Sequence, residues 1–365
     1  GTGILTVTAP NTSTDRTITL PDATGTLLSG AGGRRNIVIN GAMKVAQRGT
    51  SSTASGYGSV DRWKSVNNVG VTHTQEAITS GDPFDVGFRH AFKLTNTATV
   101  DNAATHYVSC YQYIEAQDLA TSGWDYTDAS SYITISFWIK SSVAGTYYVN
   151  PMTEDGTKKV YPQSFSLSAA TWTKVEKSFP GHADLTFDND VNRGMALHIS
   201  PFYGTDFTSG VSTSAWSTYA SGDRFPDFAQ RWGSAGTGAT WEITGVQLEL
   251  GTAATDFEHR SYGEELARCR RYYQAHYILT HTPYCVDWQG GSNADNMRGT
   301  FHFDTPMRAA PTQGFLGDAS WYEVSGSDAP STIIFTTNIM AAYNDQGVNI
   351  LGDSADDAIT FDAEL

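Results

Sequence analysis

Charged residues make up only 17% of this 365-residue sequence, and 23 Lys and Arg face 38 Asp and Glu. With a formal net charge of −15, the chain lacks the basic surface that neutralises phosphates, which argues against nucleic acid and anionic membrane as direct partners. No run approaches the ~18 apolar residues of a helical membrane span, and the opening GTGILTVTAPNTS has no charged-then-apolar leader. Cysteine is scarce: Cys110, Cys269 and Cys285 are too few and too scattered for a disulfide framework or a thiolate zinc site. At least one of the three is unpaired, so folding in a reducing cytoplasm is expected. There is no Gly-Lys dipeptide for a P-loop, no G-x-S-x-G elbow and no G-x-G-x-x-G loop. His276, His281 and His302 lack the i, i+4 helical spacing that marks zinc hydrolases.

Aromatic residues are plentiful at 12%, and Gly occurs 35 times. Disordered chains are poor in aromatics, so this composition predicts packed structure. Low charge with much Gly, Thr and Ser points away from helical bundles. In YITISFWIK, Ile133, Ile135, Phe137 and Ile139 alternate with Thr134, Ser136, Trp138 and Lys140, the period of a strand with one core face. GTYYV, TWTKVEKSF (171–179), GMALHIS (194–200) and TWEITGVQLEL (240–250) read the same way. Short strands punctuated by turn residues, without long helices between them, predict an all-β jelly-roll sandwich over residues 34–260. Residues 1–33 read as a short N-terminal β segment too polar to hold a core alone, which is expected to pair with copies of itself as a trimerisation connector. The opening at Gly1 rather than Met is expected to mark a processed chain or a piece of a longer one.

One helix is predicted, over Tyr262 to Gln274, within a connecting segment 261–275. Ser261 with Glu264 forms a capping-box pattern, and Leu266, Cys269, Tyr272 and Tyr273 make one apolar face. Beyond it, GTFHFDTPMRAAPT, SWYEVSG, STIIFTTN and AITFDAEL predict a smaller C-terminal β domain over 276–365. From Ala309 onward that region has nine acidic residues and no Lys or Arg, giving it an acidic surface.

Two passages carry a family resemblance. NIVINGAMKVAQRGTS with VDRW (36–63), and ITGVQLELGTAATDFEHRSYGEELARCRRYYQ (243–274) with MRAAPT (307–312), resemble receptor-facing parts of bacteriophage tail fibres. That resemblance implies a homotrimeric virion appendage, assembled in the host cytoplasm beside other tail proteins, that recognises a bacterial surface glycan. The same bracketing strands are similar, more loosely, to jelly-roll carbohydrate-binding modules. Such modules often hold a structural calcium with an acid near the first strand and an Asp in the last. Gly245 and Val246 stand here where that acidic pair would fall.

Sugar recognition needs flat apolar rings and hydrogen-bonding side chains. The stretch 201–233 supplies eight aromatics in 33 residues. It predicts a loop-borne glycan platform on Trp216, Tyr219 and Trp232, with Tyr203, Arg224 and Arg231 beside it. The alternative is that these rings plug the loop onto the sandwich. Asp61-Arg62-Trp63 predicts an ion pair with an inward Trp. Asp188 and Asp190 in DNDVN are candidate calcium ligands, although no cofactor is required. The expected activity is binding without catalysis. A depolymerising tailspike enzyme, which needs two carboxylates across a cleft, and an architectural virion piece are the alternatives.

Overall fold

Alternation of branched and aromatic residues with polar ones produces two antiparallel sheets. The first has six strands in the order Ser51–Ser52, Val71–Ala77, His90–Asn96, Thr240–Leu250, Tyr132–Ser141, Thr173–Pro180. The second has eight. Its main path runs Phe202–Tyr203, Tyr107–Glu115, Arg193–Ser200, Gly145–Thr153, Lys159–Val160, Ser217–Thr218. Lys64–Asn67 adds to the Tyr107–Glu115 strand, and Gln163–Leu167 adds to Gly145–Thr153. The computed structural model describes residues 35–98, 103–228, 232–277, 297–316, 320–323, 332–335, 339–344, 348–351 and 358–365. The expectations placed on residues 1–33, Arg231, His281 and Cys285 therefore lie outside the described residues.

The sheets pack face to face, as an all-β sandwich requires. Ile133, Ile135, Phe137 and Ile139 point inward from one sheet, and Val108, Cys110, Ile114, Leu197 and Ile199 from the other, into a single core. Each such side chain contributes roughly 1.5–3 kcal/mol by leaving water. The opposite face of YITISFWIK is less exposed than its polarity predicts. Thr134 and Ser136 are buried, and the Thr134 hydroxyl donates to the Gly251 carbonyl at 2.6 Å.

Pairing of Thr240–Leu250 with Tyr132–Ser141 slips between Thr244 and Gln247, a β-bulge. Gly245 occupies it at φ +62, and a Cβ there would meet the Phe88 ring at 2.6 Å. Val246 is core, and its N–H donates to the Gly41 carbonyl at 2.9 Å. The bulge thus takes the place where the module resemblance expects acidic calcium ligands.

The opening passage 36–63 is scaffolding. The Asn36 Oδ1 accepts from the N–H groups of Val38 and Leu248, both at 3.0 Å, tying the first described segment to the last sandwich strand. Asn40 sits at φ +55, and its side chain bridges Val45 and Asp61. Trp63 is fully buried. Arg62 is 1% exposed and pairs with Glu364 rather than with Asp61. Its guanidinium lies 3.4 Å over the Tyr272 ring and donates to the Tyr113 carbonyl at 2.7 Å.

The helix runs Tyr262–Arg270 with its capping box formed, and stops earlier than the apolar spacing predicts. Tyr273–Tyr277 is a strand instead, paired with Ala358–Asp362, which also pairs with Thr312–Leu316. The long-range ladder outweighs the local helical period at Tyr272, Tyr273 and Gln274. Cys269 and Tyr272 pack with Tyr111, Tyr113 and Met152, so this end of the helix covers part of the outer face of the eight-stranded sheet. Further strands pair as Met297–His302 with Ile339–Asn344, Ile339–Asn344 with Thr332–Phe335, and Ser320–Glu323 with Val348–Leu351. Arg34–Leu365 forms one compact unit. Cys110 and Cys269 are both buried and free.

Candidate functional site

The 201–233 aromatics fall into two groups. Phe202, Tyr203, Phe225, Phe228 and Trp232 are core. Tyr203 stacks on Phe225 at 4.5 Å, and the Trp232 indole N–H donates to the Thr240 carbonyl at 3.0 Å. Trp232 is 0% exposed and has no face for a sugar, so it leaves the expected platform. Trp216 is half-buried, but its indole N–H is spent on the Pro180 carbonyl at 2.8 Å and its ring on Tyr161. The three residues placed at the centre of that platform do not meet. The loop mostly plugs the sandwich, because large rings gain more from packing than from exposure.

Three of the expected residues do converge elsewhere. Tyr203, Tyr219 and Arg224 line a groove of about 250 Å³ on the outer face of the eight-stranded sheet. Its floor is the Tyr107–Glu115 strand, whose residues 107, 109, 111 and 113 share that face by the two-residue period. Tyr107, Ser109, Tyr111 and Tyr113 form a row about 20 Å long at ~3.3 Å per residue. His198 lies beside the row, its ring 4.6 Å from Tyr111 and its Nδ1 3.2 Å from the Ser109 hydroxyl. Tyr203 closes one end from below, donating its hydroxyl to Ser109 at 2.7 Å.

Burial sets the protonation states here. It holds His198 down to about 3, with the Arg224 charge adding to the effect, so the imidazole is neutral. Burial likewise pushes the Tyr203 hydroxyl up to about 12 and raises Tyr111 above its usual range. The floor is therefore uncharged and rich in hydroxyls.

The rim is cationic. Arg193 lies 4.3 Å over Tyr113, and the Lys64 ammonium is 5.6 Å from the same ring. Burial and the nearby Arg193 charge lower the Lys64 pKa, while Glu364 and Asp362 act weakly the other way. Arg224, held by Ser221, sits 4.9 Å over Phe207 and 5.7 Å from Tyr219 at the other end. Glu154 is the one carboxylate lining the groove, and it pairs with Lys158 at 2.5 Å.

Two larger hollows lack this combination. One of about 410 Å³, lined by Glu154, Asp155, Asn192, Arg193, Arg308, Glu364 and Leu365, is polar and adjoins the groove through Glu154 and Arg193. The other, of about 340 Å³, lies on the six-stranded sheet around Phe88, Trp138 and Phe257. Its Phe88 and Phe257 rings are engaged edge-on with each other at 4.9 Å, and its Lys174 is paired with Glu176.

The DNDVN run forms a turn. Both Asp190 carboxylate oxygens accept from Asn192, and the Asp188 N–H donates to Asp155. Among the described residues no three His, Cys, Asp or Glu side chains converge as a cation cage. Asp188 and Asp190 thus take part in ordinary turn hydrogen bonding. Among the described residues, no helix is long and apolar enough to cross a membrane.

The sequence reading missed the groove floor. HYVSCYQYIE carries the signal, three tyrosines at even spacing opposite Val108, Cys110 and Ile114. Its function becomes visible only once Lys64, Arg193 and Arg224 arrive from other parts of the chain.

No protein-family model matches the chain. No curated protein matches it either. Among solved structures, the chain is similar to the enzymatically active domain of bacteriophage CBA120 tailspike protein 4, at 12% identity and a TM-score of 0.32. That match covers 59% of this chain and 21% of the tailspike, about a fifth of its length. It is also similar to a CBM4 module, at 13% identity and TM-score 0.30 over 58% of this chain and 98% of that one. A family 11 carbohydrate-binding module from Clostridium thermocellum, in complex with a β-1,3-1,4-mixed-linked tetrasaccharide, matches at 15% identity and TM-score 0.26, covering 57% and 98%.

Proposed function

We propose that this chain is a non-catalytic glycan-binding protein whose site is the tyrosine-floored groove. The observation that carries this reading is the row of half-buried Tyr107 with Tyr111 and Tyr113, 7% and 9% exposed, beside buried, neutral His198: an uncharged, hydroxyl-rich floor at the bottom of a groove. The half-buried rings of Tyr107 and Tyr219 supply apolar surface for sugar C–H groups, and phenol, hydroxyl and imidazole groups exchange hydrogen bonds with sugar hydroxyls without burying charge. Hydrolysis needs two carboxylates facing each other across the bond, whereas the groove lining holds Glu154 alone, already paired with Lys158. This supports binding over cleavage.

The sequence resemblance supplies the setting: a phage tail fibre that carries the groove to a host surface polysaccharide, trimeric through residues 1–33 and held in the virion by other tail proteins. A single shallow site binds weakly, and three per fibre raise avidity through effective concentration. Calorimetric titration with oligosaccharides from a susceptible host tests the reading. Binding should fall about tenfold in Tyr111→Phe, since one hydroxyl partner is lost. No reducing ends should be released on long incubation. Unchanged affinity in Tyr111→Phe and Tyr113→Ala would remove the groove from the account, and reducing-end release would restore the enzyme.

A further inference from the structure

The chain is strongly acidic overall, with a formal net charge of −15, yet the groove rim gathers cations. Arg193 and Lys64 stand at the Tyr113 end, and Arg224 at the Tyr107 end. Among the described residues none of these three forms an ion pair. Lysines on the other sheet behave differently, for Lys93, Lys140 and Lys174 are each paired with a glutamate. Nearby Asp362 and Glu364 offset the rim only in part: both raise the Lys64 pKa, but their ion pairs are made with Arg48 and Arg62. Arg193 and Lys64 both stand over the Tyr113 ring, where burial first and the Arg193 charge second lower the Lys64 pKa. Like charges gathered over uncharged rings, against the sign of the whole molecule, match an anion placed between them.

We infer that the groove selects anionic glycans, with Arg193 and Lys64 at one end of the tyrosine row and Arg224 at the other each meeting an acidic substituent on the sugar chain. The inference rests on the glycan-binding reading above and adds the charge class to it. A guanidinium accepts the planar carboxylate of a uronic or ulosonic acid, or a phosphate ester, through paired N–H donors. The shared chemistry is a sugar-borne anion with spacing along a polymer. Cations at both ends of a row about 20 Å long favour a repeating acidic polysaccharide over a single charged terminus.

The test uses the full chain against an array of bacterial polysaccharides, acidic and neutral. Each acidic member is present also in its carboxyl-reduced form or its dephosphorylated form. Expected is binding confined to acidic members and lost on carboxyl reduction if the anion is a carboxylate, or on dephosphorylation if it is a phosphate. Affinity should drop about tenfold in Arg193→Ala and in Arg224→Ala, fall steadily with added salt, and stay unchanged in Lys140→Ala. Equal binding to native and neutralised forms, or binding to neutral members only, overturns the charge selection while leaving glycan recognition standing. Binding to no saccharide by a folded protein overturns both.

Discussion

The two outer faces of the sandwich are built from the same kind of strand and differ in how they spend their charges. On the six-stranded sheet, Lys93 pairs with Glu76 and Lys174 with Glu176 at the surface, and Lys140 pairs with buried Glu242. On the eight-stranded sheet, Arg193, Arg224 and Lys64 lie over tyrosine rings. Surface pairs of the first kind are worth little individually and serve to keep a sheet face soluble. Charges left unpaired over a concave aromatic floor are available to a ligand. The fold alone does not assign function to either face; the distribution of partners does.

The comparison breaks first if the scaffold behind the groove carries less than the structure assigns to it. Arg62→Met should cost about 3–5 kcal/mol, because it strands buried Glu364 and removes the contact with Tyr272 beside the floor. Trp232→Ala should cost a similar ~3–5 kcal/mol as a core cavity. Both are read from denaturant midpoints. A midpoint close to wild type for Trp232→Ala would return that ring to the surface and to the sugar platform.

The next effect is a pH dependence contributed by one groove residue, His198. The folded-state pKa of His198, about 3, lies below the 6.5 of an unperturbed histidine. The unfolded chain therefore takes up the proton first, and stability falls as pH drops from 6.5 toward 3. Wild type should lose up to about 1.4 kcal/mol per pH unit more than His198→Gln over that window. Equal slopes for the two proteins would show that His198 is accessible and titrates normally. The smallest effect belongs to the other face: Lys174→Ala, which removes an ion pair exposed on both sides, should shift stability by about 1 kcal/mol or less. A loss of several kcal/mol there would mean the pair is structural, and the contrast between the faces would weaken.

The sandwich was legible in the sequence because its signal is local. Ile133 to Ile139 alternate inward throughout, as do Trp241 with Ile243 and Val246 with Leu248 on either side of the Gly245 bulge, and a strand needs little else to be recognised. The end of the helix was not legible, since Tyr272 and Tyr273 continue its apolar spacing and only the distant Ala358–Asp362 strand claims them. The site was half legible. Tyr203, Tyr219 and Arg224 were drawn from an aromatic-rich stretch, but composition does not separate a ring that plugs the core, such as Trp232, from one that lines a groove, such as Tyr219. Arg193 and Lys64 were out of reach for a plainer reason: 129 positions separate them in the sequence, and only strand pairing with Tyr107–Glu115 sets them over one tyrosine.

The central claim is that the tyrosine row binds sugar, and a crystal structure with a bound host oligosaccharide tests it most directly. The account predicts sugar rings along Tyr107, Tyr111 and Tyr113, hydrogen-bonded to His198, with acidic substituents reaching Arg193 or Arg224. Sugar seated instead in the Phe88, Trp138 and Phe257 hollow of the six-stranded sheet, with the tyrosine groove holding only water, would contradict it.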